Sequence, residues 1–253
     1  MNSNKGLFKE EEMSLLFNDK KFSELDNNSK NVIRTMFGHV EDDAVIKCSR
    51  LDNKMKPDLI FTINDVSHYL SMKTGSNGIV HQEKIDYFVE HLREIGISEK
   101  TVETILLYHY GDLTLDGTGP ERYTFRRICF MLDERIQAAN KELNTNRDFV
   151  VHMVNRFLFK GREKENIVAE FIYHGDEDFG VIVTRKQVLM HVKLHTYAFL
   201  ENLHIGPLLI HPHARYVGKK TFNKEKRAII EFHWPNLFTA LKKISYRYNG
   251  GIE

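Results

Sequence analysis

Residues 56–75 read KPDLIFTINDVSHYLSMKTG. Two runs rich in β-branched and aromatic residues flank Asn64-Asp65. That dipeptide predicts a two-residue turn, because asparagine tolerates the positive φ such turns require. With Ile63 opposite Val66, counting back along both strands sets Asp58 opposite Ser71. Side chains alternate between the faces of a strand. Leu59, Phe61, Ile63, Val66, His68, Leu70 and Met72 therefore share one side, which reads as core. Asp58, Ile60, Thr62, Ser67, Tyr69, Ser71 and Lys73 share the other. Asp58, Ser71 and Lys73 converge at one end of the hairpin, and a slip of one residue would scatter them. The competing reading is plain: a Pro-Asp that opens a strand and a lysine that is solvated.

Outward from the hairpin, the chain reads as alternating short elements. Helices are expected at 7–17 and 24–37, the second ended by Gly38. Strands are expected at 44–50, 58–63 and 66–73, then a helix over 81–94 with Ile85, Phe88, Val89, Leu92 and Ile95 as its apolar stripe. Residues 102–110, VETILLYHY, read as a strand. The segment DGTGP at 116–120 reads as a break. Beyond it, helices are expected at 121–143, 148–159, 187–200 and 236–246, a hairpin around Asp176–Asp178, and strand and loop over 205–234. The expected fold class is α/β, with a core over 1–115 and a mixed helical and strand elaboration over 121–253 for recognition or dimerisation.

The composition fits one large folded domain or two small ones: 253 residues, 42% apolar, 28% charged and a formal net charge of +1. The two cysteines, Cys48 and Cys129, have no metal spacing and predict a reducing compartment. No apolar run reaches 18 residues and the N-terminus lacks a secretion signature, so no membrane role is expected and a cytoplasmic location is. No G-x-G-x-x-G follows a strand and no P-loop is present, so no nucleotide cofactor is expected. The thirteen histidines include His211 and His213, and His191 and His195 four apart, but no Cys-rich or H-E-x-x-H partner.

Pro57-Asp58, twelve intervening residues, then Ser71-x-Lys73 resembles the active-site hairpin of the PD-(D/E)xK nuclease superfamily. Serine in the first acidic position is similar to the S-x-K branch of type II restriction endonucleases. The order helix, three-stranded meander, helix, strand over 24–110 resembles the same core. The resemblance implies a Mg²⁺-dependent endonuclease acting on double-stranded DNA, sequence-specific and homodimeric. Asp58 would be the central metal ligand and the Met72 carbonyl another, because Mg²⁺ takes oxygen ligands. Lys73 would orient the attacking water or stabilise developing charge. Ser71 would hold a metal-bound water. The alternatives are a structure-directed or repair nuclease of the same fold, and a nuclease-like DNA-binding protein without activity.

Serine leaves that site one carboxylate short. The candidates are Glu83, Glu24, Glu41 and the Glu10–Glu12 run. Glu83 lies ten residues after Lys73, at the expected start of the next helix, where the resemblance places a relocated acid. Helical phase turns it away from the apolar stripe. Glu24, at the start of the earlier helix, ranks second. Three basic groups are candidate phosphate contacts: Lys47, Arg50, Lys54 and Lys56; Arg122, Arg126 and Arg127; and RYVGKKTFNKEKR at 215–227, with Lys219, Lys220 and Arg227 among six basic residues against one acid. Ser76 and Asn77 of the TGSNG loop and Gln82 are further candidate nucleic-acid contacts.

Overall fold

The computed structural model describes residues 3–51, 56–75, 78–119, 122–161, 167–176, 178–198, 202–213 and 224–249. In chain order the elements are α1 (Ser3–Phe17), β1 (Lys20–Lys21), a 3₁₀ turn (Phe22–Glu24), α2 (Asn27–Phe37), β2 (Val45–Arg50), β3 (Leu59–Ile63), β4 (Val66–Lys73) and β5 (Ile79–Lys84). Then come α3 (Ile85–Glu94), α4 (Glu99–Tyr110), α5 (Phe125–Met131), α6 (Asp133–Thr145), α7 (Arg147–Asn155), a π-helical turn (Arg156–Lys160), β6 (Phe171–Gly175) and β7 (Gly180–Thr184). The last are α8 (Arg185–Leu194), β8 (His204–Ile205), β9 (Leu208–Pro212), α9 (Lys224–Arg227), β10 (Ile229–His233) and α10 (Leu237–Asn249). No helix among the described residues is long and apolar enough to cross a membrane.

The chain folds into two compact units that interleave in sequence: 1–76 with 154–194 and 236–253, and 77–153 with 195–235. The expected break at 116–120 does not separate them, because that loop belongs to the second unit. Its glycines and aspartates close it on itself. Asp112 accepts hydrogen bonds from Thr114 N (3.0 Å), Thr114 Oγ1 (2.8 Å) and Gly119 N (3.0 Å), and Asp116 accepts from Thr118 N (3.1 Å) and Oγ1 (2.7 Å). These are side-chain turns that replace a linker with a compact loop.

The first unit is built on a sheet ordered β1-β2-β3-β4-β6-β7, in which only the β4–β6 pair is parallel. The hairpin has the expected register, Ile63 with Val66 back to Leu59 with Leu70. Asn64 (φ 46°) and Asp65 (φ 64°) both take the left-handed conformation that a primed turn demands. Leu59, Phe61, Leu70 and Met72 join Ile46, Cys48, Phe171 and Tyr173 in the core, covered by Met13 and Phe17 of α1 and by Val32, Ile33 and Met36 of α2. Burial pushes the Cys48 thiol up to about 12, as expected of a cysteine used as a small apolar residue. Asp26 caps α2 by accepting from Ser29 N (3.0 Å), so this helix starts at Asn27 and the preceding Phe22–Glu24 forms a separate turn. The helices α8 and α10 pack on β6 and β7.

The meander follows the expectation, but the helix and strand that complete the sheet do not come from 81–110. Residues 79–84 form β5, and the helix begins only at Ile85. Residues 99–110 are the helix α4, capped by Ser98 and ended by Gly111 (φ 63°). It is buried nearly all round, including Thr101, Val102, Thr104, Ile105, Leu106, Tyr108, His109 and Tyr110, so no amphipathic stripe is left to mark it. The strand that lies parallel to β4 is β6, entered from the π-helical turn.

The second unit carries the antiparallel sheet β5-β10-β9-β8, with Phe88 of α3 edge-on to Phe232 at 4.9 Å. Arg227 is a structural residue here and not an open phosphate contact. Its guanidinium pairs with the buried Asp112, and its carbonyl accepts from His109 Nε2 (2.8 Å). Burial holds His109 down to about 3, so it stays neutral. Arg227→Ala is expected to destabilise the protein by about 3 kcal/mol, because it leaves a buried carboxylate unpaired. Denaturant unfolding measures this, and a surface contact would change stability by no more than about 0.5 kcal/mol.

Candidate active site

Asp58 continues the sheet ladder on both sides, its N–H donating to Leu70 O (2.8 Å) and its carbonyl accepting from Leu51 N (3.0 Å). Proline at 57 fixes the entry to this strand. The Asp58 carboxylate is thereby set against Ser71 and Met72. Oδ2 accepts from Met72 N (2.5 Å) and Ser71 Oγ (3.2 Å), and Lys73 Nζ lies 3.7 Å from the same oxygen. Lys73 Nζ also donates to the Met72 carbonyl (2.9 Å). The Asp58 and Lys73 side chains are 19% and 16% exposed, and Ser71 is buried. The structure thus joins Asp58, Ser71, Met72 and Lys73 in one cluster. Serine acts there as a donor to the carboxylate, a role an acid in its place could not fill when ionised.

A second carboxylate stands beside the cluster, on α1. Glu10 is 17% exposed, with Oε2 at 3.6 Å from Arg50 Nε, while Arg50 Nη1 donates to Glu11 Oε2 (3.0 Å). Burial first, then repulsion from Asp58, pushes the Glu10 carboxyl up to about 6, against the attraction of Arg50 and Lys73. Glu10 therefore shares an electrostatic environment with both Asp58 and Lys73. The sequence marked it only as part of an acidic run. The fold selects it because α1 packs across β2 and leads the helix to the Asp58 end of the sheet.

Glu83 and Glu24 are placed differently from the expectation. Glu83 is buried on β5, in the second unit, opposite Ile230 and 3.7 Å from His81 Nε2, and does not begin a helix. Glu24 is exposed and closes its own turn by accepting from Lys21 N (2.9 Å). Gln82 lies on β5 as well, bound to Glu231 (2.6 Å). Lys56 is half-buried just before Pro57. Ser76, Asn77, Lys219 and Lys220 fall outside the described residues.

A further side chain at this end of the sheet had no signal in the sequence. His174 of β6 is in register with Lys73. Its ring lies 5.5 Å from that of Phe238, and burial followed by the Lys73 ammonium lowers its pKa. Among the described residues, no three His, Cys, Asp or Glu side chains gather to hold a metal. The oxygen set for a hard cation is instead two carboxylates and a carbonyl. This set would suit Mg²⁺ on two grounds: the hydrogen bonds from Met72 N and Ser71 Oγ share Oδ2 of Asp58 rather than Oδ1, and Glu10 and Asp58 repel each other, which a cation would relieve.

No protein-family model matches the chain, and no curated protein matches it. Among solved structures the chain is similar to the restriction endonuclease MspI in complex with its cognate DNA, at 14% identity and a TM-score of 0.46, over 92% of each chain.

Proposed function

We propose that this protein is a Mg²⁺-dependent endonuclease that hydrolyses double-stranded DNA at a specific sequence and acts as a homodimer. The observation that carries the reading is the Asp58 carboxylate held by Ser71 and Met72, with the Lys73 ammonium at 3.7 Å and Glu10 in the same charge field. Asp58, Glu10 and the Met72 carbonyl would hold Mg²⁺, which when bound polarises the phosphate and supports a nucleophilic water. Ser71 and Met72 N fix the orientation of Asp58. Lys73 is steered by the Met72 carbonyl and presents its charge where the scissile phosphate becomes more negative. Two copies would present one site to each strand of a symmetric duplex sequence.

The test is incubation of the purified protein with plasmids of unrelated sequence, with and without Mg²⁺, followed by mapping of the ends. Ends at one short duplex sequence, dependent on Mg²⁺, are expected. Cleavage that persists in chelator, or none at all, would sink the reading. Within it, Lys73→Ala should slow single-turnover cleavage by about a thousandfold, the scale of losing one preorganised transition-state donor. Duplex affinity should change only a few-fold, since the interaction strengthens in the transition state. Equal losses in rate and affinity would make Lys73 a simple phosphate anchor.

A further inference from the structure

The second unit has a polar cluster that the cleavage chemistry does not use. Glu231 of β10 sits at its centre, buried. Its Oε1 accepts from Gln82 Nε2 (2.6 Å) on β5 and from His213 Nδ1 (2.5 Å) just past β9, and its Oε2 accepts from His233 Nε2 (2.9 Å). Burial pushes the Glu231 carboxyl up, but the hydrogen bonds from His233 and His213 outweigh it and hold the group at about 2. Glu231 is therefore ionised and accepts only. That decides the orientation of each neighbour. Gln82 must turn its NH₂ toward Glu231, leaving Oε1 and a second N–H to the outside. His213 donates to Glu231 from Nδ1 and His233 from Nε2. Gln82 and His213 are exposed.

We propose that this Glu231-anchored array is a reading head for the edge of a nucleobase bearing an exocyclic amine, with Gln82 recognising adenine in a DNA major groove. This rests on the proposed function for its choice of ligand. The exposed amide of Gln82 thus offers an acceptor, Oε1, beside a donor, its second N–H, over an ionised carboxylate, a pairing suited to a base edge rather than to an acceptor-only phosphate. Adenine offers an N6 donor and an N7 acceptor side by side, and a fixed amide meets both at once. An amide free to rotate would offer its acceptor and donor in either order. The carboxylate beneath removes that freedom.

The experiment is selection from a random duplex pool by the intact protein in chelator, followed by sequencing. The wild type is expected to enrich a motif containing at least one A·T pair whose replacement weakens binding about tenfold or more. Gln82→Ala should erase the preference at that pair and leave affinity for unselected duplex within about twofold. Glu231→Gln, which keeps the volume but can donate as well as accept, should relax the same pair. A motif unchanged in both variants, a uniform loss over all sequences, or no motif for the wild type would overturn the proposal. Plasmid cleavage by the same preparation with Mg²⁺ keeps the two readings apart: cutting without base preference overturns only this inference, and base preference without cutting overturns only the nuclease reading.

Discussion

Asp58→Asn should lower Mg²⁺-dependent cleavage by about three orders of magnitude or more, the several kcal/mol that a metal-holding carboxylate contributes to the transition state. The substitution suits the test because asparagine keeps one oxygen. Its side-chain carbonyl can still accept from Met72 N and Ser71 Oγ, the two bonds that hold Asp58 in place. The fold should therefore survive, with stability changed by no more than about 1 kcal/mol, the usual worth of one hydrogen bond. What is lost is the negative charge that faces Lys73 and that would face the proposed cation. Single-turnover rates on a plasmid, with circular dichroism of the same sample, separate the two effects. A folded variant that cuts at the wild-type rate would remove Asp58 from the site.

Glu10→Gln is the second large effect, and it shows in pH dependence as well as rate. The Glu10 carboxyl is raised from 4.5 to about 6 by burial and by Asp58. Only the ionised form can ligate Mg²⁺, so the wild type at limiting Mg²⁺ should lose activity about tenfold per pH unit below about pH 6. Saturating Mg²⁺ should move that limb to lower pH, because metal and proton compete. The glutamine variant should lack the limb and need about tenfold or more Mg²⁺ for half-maximal cleavage, on the scale of a lost charge-assisted contact. The metal-free protein should respond with the opposite sign. A carboxyl whose folded pKa is raised stabilises the fold below its unfolded value, and that contribution is lost as pH rises through about 6. Glu10→Gln should thus stabilise the metal-free protein above pH 6, by up to about 2 kcal/mol for a shift of this size. A variant with wild-type metal requirement and an intact acid limb would exclude Glu10, and Glu83→Gln and Glu24→Gln are the matched controls.

The hairpin and the three residues at its end were legible in the sequence because every step that placed them is local. A two-residue turn sets the register, a period of two sets the face, and Asp58, Ser71 and Lys73 then have nowhere else to go. The helix–meander order and the hairpin around Asp176–Asp178 were legible for the same reason. Two other features depended on which segments pack together. The sheet is completed by β6, about a hundred residues beyond β4, and parallel pairing leaves no turn signal to announce it. The helix at 99–110 lost its periodic mark because it is buried nearly all round. The second carboxylate illustrates both limits. The resemblance implied a second carboxylate and left Glu10 among its candidates, whereas the place of Glu10 in the charge field of Asp58 and Lys73 is set by the packing of α1 on β2. Glu83, nearest in the chain, was drawn by the ladder with β10 into a different unit. Sequence proximity measures reach along the chain, whereas a site is assembled by whichever elements bury their apolar faces against one another, and that decision is made only in three dimensions.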